Sequence, residues 1–94
     1  MDMPAVTVCQ VGECAYNQEG ACHALAITVG DATHAVCDTY FSYPGRGGDA
    51  ASTGRVGACK VVGCRHNVDL ECQAPGITVG SVWATADCLT YTAR

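Results

Sequence analysis

The chain has 94 residues and a formal net charge of −4, and 15% of its residues are charged. An acidic protein repels phosphate backbones, and its basic residues are scattered instead of forming a stripe: Arg46, Arg55, Lys60, Arg65 and Arg94. Binding to DNA or RNA is therefore not expected. No apolar run approaches the ~18 residues of a membrane span, so we expect a soluble protein without a membrane partner.

The first residues, Met-Asp-Met-Pro-Ala-Val-Thr-Val-Cys, contain neither a basic segment nor an apolar stretch of signal-peptide length. This predicts a cytoplasmic protein. In a reducing cytosol cysteines stay as free thiols. Thiols held close together then bind metal more readily than they persist as disulfides.

Eight cysteines form two copies of one pattern: Cys9, Cys14, Cys22 and Cys37, then Cys59, Cys64, Cys72 and Cys88. A shift of 50 aligns residues 9–30 with residues 59–80, and ten of those 22 positions are identical. After a one-residue insertion, Cys-Asp-Thr-Tyr at 37–40 pairs with Cys-Leu-Thr-Tyr at 88–91. The chain is therefore an internal duplication, and the repeated spacing predicts two four-thiolate metal sites.

Each repeat holds ~35 residues, below the roughly 40 that an unaided core requires, so each needs a cross-link or a metal. Residues 42–54 have the Gly-, Ser- and Ala-rich composition of a flexible linker. We predict a first unit at 1–41 and a second at 55–94. Whether the units pack together or coordinate metal across each other stays open, but self-contained sites predict that losing Cys22 or Cys37 unfolds the first unit and spares much of the second.

Within a repeat, the alternating Ile27–Val29 followed by Gly30-Asp31 predicts a hairpin with a two-residue turn. Such a turn leaves Cys22 and Cys37 together at the open end. Gly80-Ser81 is assigned the same role in the second repeat. The predicted fold is small, mainly β and metal-stapled: two tandem zinc-ribbon-like units, each with a β-hairpin and little or no helix.

The predicted turn also fixes a register in the first repeat, with Val29 opposite Ala32 and Leu25 opposite Val36. Asn17 and Asn67 stand where the chain must turn between the second and third cysteines, and an Asn side chain caps such turns or adopts positive φ.

Four thiolates hold zinc in a closed tetrahedron at roughly 2.3 Å, and such a site contributes on the order of 10 kcal/mol to folding. Two zinc ions are therefore expected. Iron is the minor alternative, since the two-residue knuckle followed by Gly of small iron electron carriers is absent. A disulfide framework is the other alternative, and the lack of an export signal disfavours it.

The histidines are not expected to bind metal. His23 follows Cys22, but the second repeat has Gln73 there, and His66 replaces Tyr16. His34 lies on the predicted second strand of the hairpin. His34 and His66 are assigned to surface or turn positions.

Residues around the last cysteine of each repeat are expected to support the sites. A Thr-Tyr pair recurs at 39–40 and 90–91, where a hydroxyl donates to a cysteine sulfur and a ring shields the site from water. Trp83, with the Ile and Val residues at 27, 29, 77 and 79, is expected to cover the small apolar face.

These motifs resemble a family of small bacterial four-cysteine domains catalogued as domain of unknown function fifteen-forty. The resemblance rests on four cysteines, an Asn after the second, an Ala-x-x-Ile-x-Val segment after the third and a Cys-x-Thr-aromatic ending, and both repeats carry it. The likeness implies that the eight cysteines are the metal ligands.

No catalytic constellation accompanies the cysteines. An enzyme zinc needs an open coordination position, and the acidic residues are unpaired, so no enzymatic activity is expected. We predict a non-enzymatic metal-binding module with structural zinc sites and an unidentified protein partner. Zinc buffering or delivery and a thiol redox switch are the alternatives, with an iron electron carrier behind them. The oligomeric state is not predicted.

Overall fold

The computed structural model describes residues 3–30, 34–83 and 85–94, which contain nine strands and no helix. The fold is small and mainly β, as predicted, with a radius of gyration of 12.0 Å. No helix in these ranges is long and apolar enough to span a membrane. In chain order the strands are β1 (Ala5–Cys9), β2 (Asn17–Gln18), β3 (Ala21–Cys22), β4 (Ile27–Val29), β5 (Val56–Cys59), β6 (Asn67–Val68), β7 (Glu71–Cys72), β8 (Gly76–Val82) and β9 (Thr85–Cys88).

The two repeats exchange strands. The first strand of each repeat pairs in parallel with the Ile-Thr-Val strand of the other, so β1 lies along β8 and β5 lies along β4. Val6 is opposite Ile77, and the equivalent Val56 is opposite Ile27. Both pairings carry a register shift at corresponding places. The repeats are therefore related by an internal pseudo-two-fold axis.

Further pairings close the exchanged strands into a ring. β8 pairs antiparallel with β9, Asp87 of β9 pairs with Val36, and the next residue, Cys37, pairs with Val29 of β4. Ala5 and Arg55 join β1 to β5. The ring thus runs β1, β8, β9, residues 35–37, β4 and β5. The bridges at Ala5 and Val36 each join a residue to its own equivalent, so they mark the axis.

One apolar core fills the ring. Ile77, Val6 and Val56 are its largest fully buried side chains, and Ile27 and Val29 are buried beside them. Residues of both repeats form a single cluster, which also contains cysteines of both sets. The predicted apolar face of the Ile and Val residues is where the two repeats meet, so the open question of packing is answered: the repeats share one core.

Two short hairpins lie outside the ring and carry the third cysteine of each repeat. β2 pairs with β3 and β6 with β7, through turns at 19–20 and 69–70 whose residues all have positive φ. Three of these four residues are not glycine, and Leu70 has φ 67°. Left-handed backbone costs a residue with a Cβ free energy that glycine avoids.

An asparagine holds each of these hairpins to the first strand of its repeat. The Asn17 side chain accepts from the Gly20 amide at 3.2 Å and donates to the Cys9 carbonyl at 2.7 Å. The Asn67 side chain makes the equivalent bonds: it accepts from the Leu70 amide at 3.2 Å and donates to the Cys59 carbonyl at 2.9 Å. The predicted capping role of the two asparagines is confirmed.

The predicted turn of the second repeat is wrong. Gly80 and Ser81 lie within β8, opposite Asp87 and Ala86, and the chain turns only after Val82. Alternating residues continue the strand beyond the glycine, and Trp83 adopts φ 57° at the tip. Trp83 is 99% exposed and therefore lies outside the core that the Ile and Val residues fill.

The predicted register of the first repeat is wrong as well. Val29 pairs with Cys37, and the Gly30 amide donates to the Val36 carbonyl at 2.6 Å. Leu25 is 70% exposed, and the predicted turn residues 31–33 lie outside the described residues. Gly30 has φ 83°, and a Cβ there would collide with the side chain of Val61 from the other repeat. Close packing between the repeats explains that glycine.

The segment at 42–54 lies against the first repeat. Gly47 donates to the Ala15 carbonyl at 2.9 Å, Asp49 to the His23 carbonyl at 2.9 Å and Gly54 to the Cys22 carbonyl at 2.7 Å. A Cβ on Gly54 would stand 2.5 Å from the Cys22 sulfur. The linker's flexibility stays a prediction, whereas its path is fixed by these contacts.

Candidate metal centres

The cysteines gather around two cavities, one per repeat. The first cavity is lined by Cys9, Cys14, Cys22 and Cys37, and the second by Cys59, Cys64, Cys72 and Cys88. Each has a volume of about 20 Å³, enough for one water-sized body. All eight cysteines are free thiols. The topology therefore brings together the two sets that the sequence predicts, and neither set mixes the repeats.

The thiols line the cavities without having closed into coordination geometry. Among residues 3–30, 34–83 and 85–94, no group of three or more Cys, His, Asp or Glu side chains stands close enough to hold a metal ion as it is.

Different local structures position the four thiols of a set. Cys9 ends β1 and Cys22 ends β3, so both are fixed by strand pairing. Cys14 lies in a tight turn, where its amide donates to the Val11 carbonyl at 3.2 Å. Cys37 is fixed by the other repeat, because its amide donates to the Ala86 carbonyl at 2.7 Å. The second set follows the same plan, with Cys88 donating to Ala35 at 2.7 Å.

The cavity walls also come from the other repeat. Val79 and Ala86 of the second repeat line the first cavity, and Val29 and Ala35 of the first repeat line the second. Each set of thiols is therefore enclosed by apolar side chains of its partner repeat. Such walls keep water away from the sulfurs and lower the local dielectric.

Backbone amides point at the sulfurs of the third and fourth cysteines. In the first repeat the Ala24 amide donates to the Cys22 sulfur, and the amides of Thr39 and Tyr40 donate to the Cys37 sulfur. In the second repeat the corresponding donors are Ala74 for Cys72, with Thr90 and Tyr91 for Cys88. Hydrogen bonds to sulfur stabilise the thiolate form.

Burial opposes the thiolate form at the same cysteines. The pKa of Cys37 is raised from 9.0 to about 11, chiefly because burial desolvates the thiolate, with smaller contributions from the neighbouring thiols Cys14 and Cys22. Desolvation likewise raises the pKa of Cys22, Cys72 and Cys88. An anionic set of four in an apolar cavity needs a compensating cation. The four soft sulfur donors fit a divalent ion such as zinc.

The Thr-Tyr pairs support the sites differently from the prediction. The Thr39 hydroxyl accepts from the Thr28 amide at 3.1 Å, and the Thr90 hydroxyl accepts from the Thr78 amide at 3.0 Å. The backbone amides of each pair donate to sulfur, while each Thr hydroxyl accepts from the strand beside it. Tyr40 lines one cavity as the predicted shield.

One residue that sequence reasoning set aside lies at a site. His66 lines the second cavity with the four cysteines. His23 instead approaches the Ser52 carbonyl through Nδ1 at 2.8 Å, and His34 is exposed and lines neither cavity. The sequence feature that indicated His66 is its position two residues after Cys64, which is equivalent to the position of Tyr16 after Cys14.

Comparison with protein families identifies both repeats. The profile described as Domain of Unknown Function (DUF1540) matches residues 7–40 and residues 58–92. The chain belongs to the DUF1540 family. Its two matched segments are the two cysteine repeats, so this DUF1540 protein is a tandem duplication of the family's domain. No match was found among curated proteins, and none among solved structures.

Proposed function

We propose that the protein is a non-enzymatic metal-binding module that holds two structural zinc ions, each through the four thiolates of one repeat. The observation that carries this proposal is the gathering of each four-cysteine set around one small apolar-walled cavity. The amides directed at the sulfurs support it further, because they stabilise thiolates that bind a cation. When bound, zinc would supply structural cross-linking.

The cavities favour a structural ion over a catalytic one. A volume of about 20 Å³ has room for an ion but not for a substrate beside it. Four thiolates also fill the tetrahedral shell of zinc and leave no open position for a reacting water. The proposed role is therefore to hold the fold, whose core consists of small aliphatic side chains.

Burial of the thiols separates this role from zinc buffering or delivery. Five of the eight cysteines are buried, namely Cys9, Cys22, Cys59, Cys64 and Cys72. Buried ligands exchange metal slowly because the structure must open first, whereas a buffer must exchange quickly. Competition with a coloured chelator distinguishes the two roles. Release over hours, accompanied by unfolding, supports the structural role, and release within seconds supports buffering.

Zinc and iron are distinguished by direct analysis. Native mass spectrometry of protein prepared under reducing conditions is expected to show two zinc ions per chain. The matched control is Cys14→Ser with Cys64→Ser, which removes one equivalent ligand from each set. A folded metal-free chain would refute the proposal, and two iron ions would replace it with the electron-carrier alternative.

We propose that the module acts in the cytoplasm by binding another protein. Exposed aromatic side chains support this. Trp83 is 99% exposed, and Phe41 stacks on Tyr43 with ring centroids 5.9 Å apart while both are more than half exposed. Aromatic residues are enriched at the centres of protein interfaces. Affinity capture with the wild-type chain and with Trp83→Ala tests the role of the tip, since identical captured proteins would exclude Trp83 from the interface.

A further inference from the structure

The two cavities differ at one lining position. Every residue that lines the first cavity has an equivalent that lines the second, and the residue types agree at all of these positions except Tyr16 and His66. The exposed parts of the repeats have diverged much further. The cavity linings are thus nearly identical, and an imidazole replaces a phenol at the single position where they differ.

The backbone places these two side chains equivalently. The Tyr16 carbonyl accepts from the His23 amide at 2.8 Å, and the His66 carbonyl accepts from the Gln73 amide at 2.7 Å. Both residues lie in the turn that follows the second cysteine. The Asn17 amide closes this turn in the first repeat by donating to the Cys14 carbonyl at 3.0 Å, and the Asn67 amide donates to the Cys64 carbonyl at 3.0 Å in the second. The difference between the sites is therefore one of side-chain chemistry, not of position.

That chemistry matters for a metal. A neutral imidazole offers a nitrogen lone pair and is a regular zinc ligand, whereas a phenol keeps its proton near neutral pH. His66 is half-buried, and its ring makes no hydrogen bond to the other residues that the structure describes. His66 lines the same cavity as Cys59, Cys64, Cys72 and Cys88, so its imidazole borders the space in which these thiolates would hold an ion.

We propose that His66 is a reserve ligand of the second centre. When one thiolate is lost from that centre, the imidazole takes the free coordination position, and the ion is kept by three sulfurs and one nitrogen. The first centre has Tyr16 at this position and loses its ion instead. This inference rests on the proposed four-thiolate sites. It predicts that the second centre retains its ion more tightly than the first after one thiolate is lost.

Co(II) is the probe, because its absorption reports the number of bound thiolates. The matched variants of the full chain are Cys37→Ser and Cys88→Ser, which remove the same ligand from each repeat. We expect Cys88→Ser to bind two Co(II) ions, with weakened sulfur charge-transfer absorption and a paramagnetically shifted imidazole proton in NMR spectra. Cys37→Ser should keep one tight ion and bind the other at least about tenfold more weakly than the second site of Cys88→Ser.

Exchange of the two lining residues completes the test. Adding His66→Tyr to Cys88→Ser should abolish tight binding at the second site, and adding Tyr16→His to Cys37→Ser should restore it at the first. Equal Co(II) affinity of Cys88→Ser with and without His66→Tyr would overturn the reserve-ligand proposal. A wild-type chain that binds fewer than two Co(II) ions would instead overturn the four-thiolate sites themselves.

A second measurement keeps all cysteines, in case a serine variant fails to fold. Chelator competition against wild-type protein loaded with two Co(II) ions should give biphasic release, since the imidazole recaptures an ion whose thiolate has been displaced. His66→Tyr alone should make release monophasic. Identical release curves for the wild type and His66→Tyr would contradict the proposal.

Discussion

The two repeats have kept their inner parts alike and let their outer parts diverge. Among the described residues, the second has a long hairpin of β8 and β9, whereas the first has the three-residue β4 and the bridge from Val29 to Cys37. The first is covered by the segment at 42–54. The thiol cavities, the exchanged strands and the short hairpins with their capping asparagines are shared. The comparison indicates that these shared features are what the fold requires.

The exchange of strands also means that neither repeat is a separate folding unit. β1 has its parallel partner in the second repeat and β5 has its partner in the first. Part of the wall of each cavity also comes from the opposite repeat. The expectation that losing Cys22 or Cys37 spares the second unit is therefore revised, and we expect damage to reach both halves.

Metal removal gives the largest expected effect. Since both proposed centres adjoin one core, a chain from which a strong chelator has removed both ions under reducing conditions should have unfolded in both repeats, with a loss on the order of 10 kcal/mol per site. NMR amide signals from the two repeats report the halves separately. Loss of signals from one repeat while the other remains intact would show that the repeats fold independently.

Truncation of the shared core is expected to come next. Val6→Ala and Val56→Ala remove equivalent, fully buried methyl groups, and each should lower the free energy of unfolding by about 2 to 4 kcal/mol. Urea denaturation of metal-loaded protein measures this. The control Val62→Ala, at a position 54% exposed, should change little. Effects that differ by more than the experimental error between the two core variants would break the pseudo-symmetry of the account.

Removal of the two capping asparagines should lower the free energy of unfolding by different amounts. Asn67 is 3% exposed, whereas Asn17 is only half-buried, although both make the same two hydrogen bonds. Asn67→Ala leaves the Cys59 carbonyl unpaired in the interior and should cost about 2 to 3 kcal/mol, against about 1 kcal/mol for Asn17→Ala. Denaturation midpoints give the ranking, and the reverse order would be inconsistent with these burials.

The smallest expected effect lies in the hairpin turns. Leu70 has φ 67° and is 52% exposed, while the equivalent Gly20 has φ 84°. Leu70→Gly relieves left-handed strain and should stabilise the protein by about 0.5 to 1 kcal/mol, and Gly20→Leu should destabilise it by a similar amount. Thermal unfolding of both variants tests this, and a destabilised Leu70→Gly would show that the leucine contributes contacts that outweigh its strain.

The sequence predicted what local patterns determine. The duplication, the two cysteine sets, the capping role of Asn17 and Asn67 and the β character all follow from spacing and residue type. The parallel pairing between repeats did not follow, because it joins residues about 70 positions apart in β1 and β8 and about 30 apart in β4 and β5, and no local pattern encodes the partner. Gly30 indicated a turn, but its close approach to Val61 depends on that long-range pairing.

His66 was overlooked for a related reason. A histidine in a turn is usually a surface residue, and its approach to the thiols depends on how Cys59 and Cys88 converge from distant parts of the chain. The duplication carried the missing information, since His66 and Tyr16 follow equivalent cysteines and must face equivalent surroundings.

Zinc K-edge X-ray absorption of the protein purified under reducing conditions tests the central claim most directly. The account predicts two zinc ions per chain, each surrounded by four sulfur atoms at roughly 2.3 Å. A shell dominated by nitrogen or oxygen, or a folded chain that retains no zinc, would contradict it.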